Sequence, residues 1–153
     1  PKPLLARLPA PLVLLQALPA VVARSKAMNK GIITPNGVSL EKHEYETVLF
    51  FTNLGYDIEL IPKSNKQGER TPDLHMDNNL WEMKAPKGEG KYLISNTIQR
   101  AVKQSPNIIL DLRKTKRHQA KCLAKIQKEF KKSRSIKRLK IITKSRKLLE
   151  FNK

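Results

Sequence analysis

Cysteine is nearly missing from this chain. Cys122 is the single one in 153 residues. That excludes an internal disulfide framework and a multi-cysteine zinc site, and it fits a reducing site of action. The neighbours of Cys122 read as a helix face, so a packed structural thiol is expected there rather than a nucleophile. Acids are scarce as well: 13 Asp and Glu stand against 31 Lys and Arg, a formal net charge of +18. Ion pairing within the chain cannot neutralise that excess. It implies a polyanionic partner, nucleic acid first and an anionic membrane surface second. Aromatic residues make up only 5% of the chain, which argues against single-strand recognition on a stacking platform. His43-Glu44-Tyr45-Glu46 lacks the second histidine of a zinc-protease helix. Long apolar runs are also wanting. Residues 1–27 are apolar and free of acids, but Pro9, Pro11 and Pro19 break any long helix, and Arg7 and Gln16 interrupt the run. No membrane span is expected.

The length suits one domain, and 39% hydrophobic residues suffice for a core. Composition divides the chain in three. Residues 1–31 read as a Pro-rich apolar leader or linker outside the core, residues 32–112 as the core, and residues 113–153 as a basic extension packed on it. In the last segment Glu129 and Glu150 are the only acids. Its cations, with Arg113, Lys116 and Arg117 nearest the core, are expected to contact a polyanion. Pro86-Lys87-Gly88-Glu89-Gly90-Lys91 is a second basic loop, and it places Lys87 and Lys91 beside the end of a strand.

Thr71 to Pro86 reads as a tight β-hairpin, because Asp77-Asn78-Asn79-Leu80 is a strong turn signal. With Asn78 and Asn79 as loop residues, Asp73 opposes Lys84 and His75 opposes Glu82. Side chains alternate between the faces of a sheet. Asp73, His75, Glu82 and Lys84 therefore share one face, and Leu74, Met76, Trp81 and Met83 share the core face. Asp73 and Glu82 become diagonal neighbours with backbones about 7–8 Å apart. That gap suits a hard divalent cation, Mg²⁺ or Mn²⁺, held between two carboxylates. A solvated edge hairpin with a cross-strand Asp–Lys pair would show the same residues. His75 is equally readable as an ordinary partner of Glu82 or as a phosphate contact.

Elsewhere the spacing predicts a helix over 40–54 capped by Ser39, with Gly55 ending it. Glu44 lies near the middle of that helix's apolar arc, where a carboxylate is expensive unless it has a partner. A strand follows at 57–61, then the hairpin, a helix from Ser95 or Asn96 to about Gln104, and a buried strand at 107–112. A basic amphipathic helix over 117–132 and strands at 139–143 and 148–151 complete the chain. The core order is αβββαβ, an α/β fold with a mixed sheet, and the helix before the last strand has the length of a crossover.

Pro72-Asp73 followed by Glu82-Met83-Lys84 resembles the active-site motif of the PD-(D/E)XK nucleases, and the αβββαβ order is the core of that fold. The resemblance implies metal-assisted phosphodiester cleavage, with Asp73 and Glu82 as ligands and Lys84 orienting the attacking water. Glu44 matches the acid that many members carry on the first helix, and would complete the metal set. Gln104 matches a late-helix glutamine found in some. More closely, residues from about 38 to 151 resemble the C-terminal tRNase domain of contact-dependent growth inhibition toxins (CdiA). The stretches carrying this are His43-Glu44, residues 71–88, Lys103-Gln104-Ser105 before the strand at 107–111, and the final basic strands. That resemblance implies a ribonuclease acting on tRNA in a target cell's cytoplasm, delivered as a toxin domain and neutralised by an immunity protein, for which an acidic surface would fit. Some such toxins use a metal-free site with the ribose 2′-hydroxyl as nucleophile. A DNA endonuclease of restriction or repair type on the same fold, and a non-enzymatic nucleic-acid-binding module, are the alternatives.

Overall fold

The computed structural model describes residues 29–153 and the backbone of Ala20–Val21. Its elements in chain order are β1 (Ala20–Val21), β2 (Ile33–Thr34), α1 (Lys42–Asn53), β3 (Ile58–Leu60), β4 (Leu74–Met76), β5 (Asn79–Lys84), α2 (Leu93–Val102), β6 (Asn107–Asp111), α3 (Gln119–Lys132), β7 (Arg138–Ile142) and β8 (Leu148–Asn152). From α1 to β6 this is the expected αβββαβ order, followed by a helix and two strands. All described strands form one mixed sheet in the order β1-β8-β7-β6-β5-β4-β3-β2. Neighbours β5, β6 and β7 run parallel, which requires the α2 and α3 crossovers between them. The basic 113–153 segment therefore supplies two strands of the same sheet. Of the leader, Ala20 and Val21 pair antiparallel with Glu150 and Leu149; the other residues up to 28 lie outside those described.

Each face of the sheet carries its own core. On one face Val48 and Phe51 of α1 pack with Leu74, Met76, Trp81, Met83, Ile109 and Ile142. On the other, Ile94, Ile98 and Ala101 of α2 and Cys122, Ile126 and Phe130 of α3 cover Ile108, Leu110, Leu139 and Ile141. Burial on both faces explains why β6 reads as an unbroken apolar run. Burial also pushes the Cys122 thiol above its usual range, as suits a packed cysteine. α1 starts later than its apolar spacing suggests, with Glu41 at the N-cap position and no side-chain cap. Gly55, at φ 92°, ends it as expected. Ahead of α1, Gly31 lies so close to the Tyr56 carbonyl that a Cβ would sit 1.8 Å from its oxygen.

The hairpin register differs from the expected one. Leu74 pairs with Trp81, His75 with Leu80 and Met76 with Asn79. The turn residues are Asp77 and Asn78, at φ 51° and 60°, rather than Asn78 and Asn79. Asp accepts left-handed backbone nearly as well as Asn, so the dipeptide signal alone left two registers open. Contacts decide between them: the Asn79 amide donates to the Asp77 carbonyl at 2.9 Å, and the Trp81 indole donates to the Met76 carbonyl at 2.8 Å. Each cross-strand partner moves by two residues, which preserves every side chain's face. Asp73 N also donates to the Trp81 carbonyl at 2.9 Å. Asp73 and Leu74 thus both oppose Trp81, a bulge that re-aims the Asp73 side chain.

Candidate active site

The bulge turns Asp73 toward β5. Its Oδ2 accepts the Met83 backbone N–H at 2.8 Å, so the carboxylate is fixed beside Glu82 rather than diagonal to it. Glu82 is 4% exposed. One of its oxygens, Oε2, accepts from Lys84 Nζ at 3.0 Å. The other, Oε1, is buried with no hydrogen-bond partner among the described residues. Burial, and then the charge of Asp73, push the Glu82 carboxyl up to about 7, while Lys84 pulls it down. Two carboxylates without a donor between them repel. A proton or a cation between them relieves that repulsion and satisfies the orphaned oxygen. The donor set is all oxygen and partly desolvated, which fits Mg²⁺ or Mn²⁺.

These groups open into a cleft of about 260 Å³. The N-terminal part of α1 contributes His43, Glu44 and Thr47, α2 contributes Thr97 and Arg100, and the β3–β4 loop contributes Lys63. Glu44 therefore reaches the same cleft as Asp73, Glu82 and Lys84. Its nearest ligand group is a different one, however. One of its carboxylate oxygens lies within 4.8 Å of a ligand atom each of Glu41 and His43, and among the described residues no group of that tightness joins Glu44 to Asp73 and Glu82. α1 is held over the strand ends by a buried clamp. Thr47 Oγ1 donates to Asp111 Oδ2 at 2.7 Å, and Arg113 binds both Asp111 oxygens, Nε to Oδ1 at 2.9 Å and Nη2 to Oδ2 at 2.7 Å.

Two expected site residues lie elsewhere. His75 stays on the predicted side of the hairpin, but the register puts it opposite Leu80 and Glu59. It lines a separate depression with Asp57 and Glu59. Gln104 follows α2, at the far end of the β5–α2–β6 crossover, where neighbouring Ser105 bonds the Leu80 carbonyl at the start of β5. α2 runs antiparallel to the strands, so its C-terminal end is the end away from Lys84. Of the expected nucleic-acid contacts, Arg113 is a correction. Its guanidinium is spent on Asp111 and the Glu46 carbonyl and stacks 5.3 Å over the Phe50 ring. Asp111 raises its pKa further. Lys87 and Lys91 are exposed, and their loop is joined to that of Lys116 and Arg117. Lys116 N donates to the Gly88 carbonyl at 3.1 Å and Arg117 Nη1 to the Glu89 carbonyl at 3.2 Å. Together they form one basic rim. Lys63, Thr97 and Arg100 were not read as site residues. Thr97, 2% exposed within the packed stripe of α2, was the legible signal, and Arg100 is the only charge on that helix.

The span that builds this cleft floor is also the span that matches a family model. The model, contact-dependent growth inhibition CdiA C-terminal domain, matches residues 70–148. The chain belongs to the CdiA C-terminal domain family. The matched residues include Asp73, Glu82, Lys84 and Arg100 of this CdiA C-terminal domain, and leave Glu44 upstream. Among solved structures, a chain from a CdiA-CT/CdiI toxin and immunity complex of Burkholderia pseudomallei resembles it with a TM-score of 0.62 at 18% identity. That likeness, which is one of fold, covers 80% of this chain and 100% of the other. No curated protein matches. Membership in the CdiA C-terminal family makes this a toxin domain by family. Among the described residues no helix is long and apolar enough to cross a membrane.

Proposed function

We propose that this toxin domain is a metal-dependent endoribonuclease that cleaves tRNA. One observation carries the reading: a buried carboxylate oxygen, Glu82 Oε1, has no partner among the described residues and lies beside a second carboxylate, while Oε2 of the same group accepts from Lys84 Nζ at 3.0 Å. Leaving a buried acceptor unmet costs about 1–3 kcal/mol, a cost that a bound cation would remove. Asp73 and Glu82 would hold Mg²⁺ or Mn²⁺, with Glu44 contributing from α1. The cation would supply charge stabilisation at the phosphate and a water of lowered pKa. Lys84, anchored on Glu82, presents its remaining N–H donors to the cleft. There it orients the attacking water and offsets negative charge gathering on the phosphoryl oxygens. The Lys87–Lys91 and Lys116–Arg117 rim binds backbone phosphates beyond the cleft.

A polyanionic substrate follows from the charge. The choice of tRNA rests on the family resemblance, as does action in the cytoplasm of a target cell after delivery. The similar solved structure is a toxin and immunity complex. For this chain a partner of that kind would carry an acidic surface complementary to the rim. Incubating the purified protein with tRNA and with duplex DNA, in Mg²⁺ and in EDTA, tests the reading. The expected result is cleavage of tRNA, lost in EDTA and in Glu82→Gln. Cleavage that survives EDTA removes the metal, cleavage of DNA alone reassigns the substrate, and cleavage of neither leaves a binding module.

A further inference from the structure

The cleft holds more positive charge than its carboxylates use. Its ionisable lining comprises three carboxylates, Glu44, Asp73 and Glu82, and three cations, Lys63, Lys84 and Arg100, besides His43. Lys84 is engaged with Glu82. Lys63 and Arg100 are different: both are exposed, and neither side chain has a hydrogen bond, ion pair or ring contact among the described residues. Arg100 shares the cleft with the unmatched Glu82 oxygen and still does not pair with it. With a divalent cation on the carboxylates, the cleft carries a net charge of about +2, which calls for an anion.

Their placement is built rather than incidental. Arg100 comes from α2, the crossover between β5 and β6. Lys63 comes from the β3–β4 loop, on the opposite side of β5 in the sheet order. That loop is an ordered lobe around Ser64, next to Lys63. Ser64 N donates to Thr71 Oγ1 at 3.3 Å, Ser64 Oγ bonds the Glu69 carboxylate, and Lys66 N donates to Ser64 Oγ at 3.1 Å. Arg70 Nη1 then ties the lobe to the Lys103 carbonyl just beyond α2, at 3.2 Å. Two cations without partners among the described residues thereby enter one cleft from two elements, the β3–β4 loop and α2.

We propose that Lys63 and Arg100 form a clamp on the RNA phosphates flanking the one that is cleaved. This deepens the ribonuclease reading and rests on it. The clamp adds phosphate affinity inside the cleft to that of the outer rim, and holds the substrate equally before and during cleavage. Each residue contributes one phosphate contact and releases the matching counterion.

The test uses the full chain bearing Glu82→Gln, which holds tRNA without cutting it, and measures tRNA affinity against salt. Adding Lys63→Gln or Arg100→Gln should each reduce the slope of log K against log[salt] by about 0.7–0.9 and weaken binding about five- to eightfold at about 0.1 M salt. Arg100→Lys should restore the slope, and Lys128→Gln on α3 should weaken binding less than either. In the cleavage-competent protein the same changes should raise KM while the rate at saturation stays within about threefold. An unchanged slope in both variants, a loss no greater than that of Lys128→Gln, or a collapse of the saturated rate at constant affinity overturns the clamp. If wild-type protein cuts no nucleic acid yet the slopes shift as expected, the nuclease reading fails and the phosphate clamp stands. If tRNA is not bound at all, both fall.

Discussion

Glu82 links stability, pH and metal in one measurable quantity. Its carboxyl moves from an ordinary 4.5 to about 7 in the fold, first through burial and then through Asp73. Between those two values the folded protein keeps a proton that the unfolded chain has released, so stability falls as pH rises. Below the lower value both states are protonated and no penalty exists; above the upper one the penalty is complete. A displacement of that size corresponds to about 3 kcal/mol, or about 6–12 °C in Tm for a chain of this length. Metal-free protein in EDTA should therefore melt lower at pH 8 than at pH 5. Glu82→Gln keeps the shape and removes the charge, so the difference between the two proteins' pH profiles isolates this group from the histidines. A cation at Asp73 and Glu82 should reverse the loss. At 100 times its Kd it stabilises the fold by about 2.7 kcal/mol, and only in the protein that retains Glu82. Parallel pH profiles for wild type and Glu82→Gln, or no response of wild-type Tm to Mg²⁺ or Mn²⁺ at pH 8, would refute the argument.

Three further outcomes can be checked directly. Lys84→Met should lower the cleavage rate by about 10²–10³ in a single-turnover assay without unfolding the protein. Asp111→Ala leaves the Arg113 guanidinium without its carboxylate partner and removes the acceptor that ties Thr47 of α1 down, which should cost about 3–5 kcal/mol in urea denaturation. Arg113→Gln and Lys116→Gln should separate cleanly: the first lowers stability with little change in the salt slope of tRNA binding, and the second lowers that slope by about 0.7–0.9 with stability unchanged.

Much of the α/β order was legible because each element announces itself over a few neighbouring residues. The stripe Ile94, Ile98 and Ala101, the apolar run of β6 and Gly55 depend on local spacing and local backbone preference. So does the sharing of one hairpin face by Glu82 and Lys84, since strand alternation survives a two-residue register change, whereas Asp73 reaches them through the bulge. The rest depended on contacts between distant segments. Asp77-Asn78 and Asn78-Asn79 are nearly equal turn candidates, and the Trp81–Met76 bond with the bulge at Asp73 selects the first. That choice took His75 away from Glu82.

The sequence by itself determined that this chain is cationic, builds an α/β sheet and presents two acids and a lysine on one strand pair, because those properties follow from composition and alternation. Only the tertiary structure decided which charges are available. Arg113 and Lys140 look like surface cations in the chain. In the fold Arg113 locks onto Asp111, and Lys140, 5% exposed, pairs with Glu150 and lies 5.2 and 5.3 Å from the Tyr56 and Trp81 rings. Lys63 and Arg100, which carry no such signal, have no partner at the cleft among the described residues. A side chain's partner is set by where remote segments pack, and that packing is a property of the folded chain.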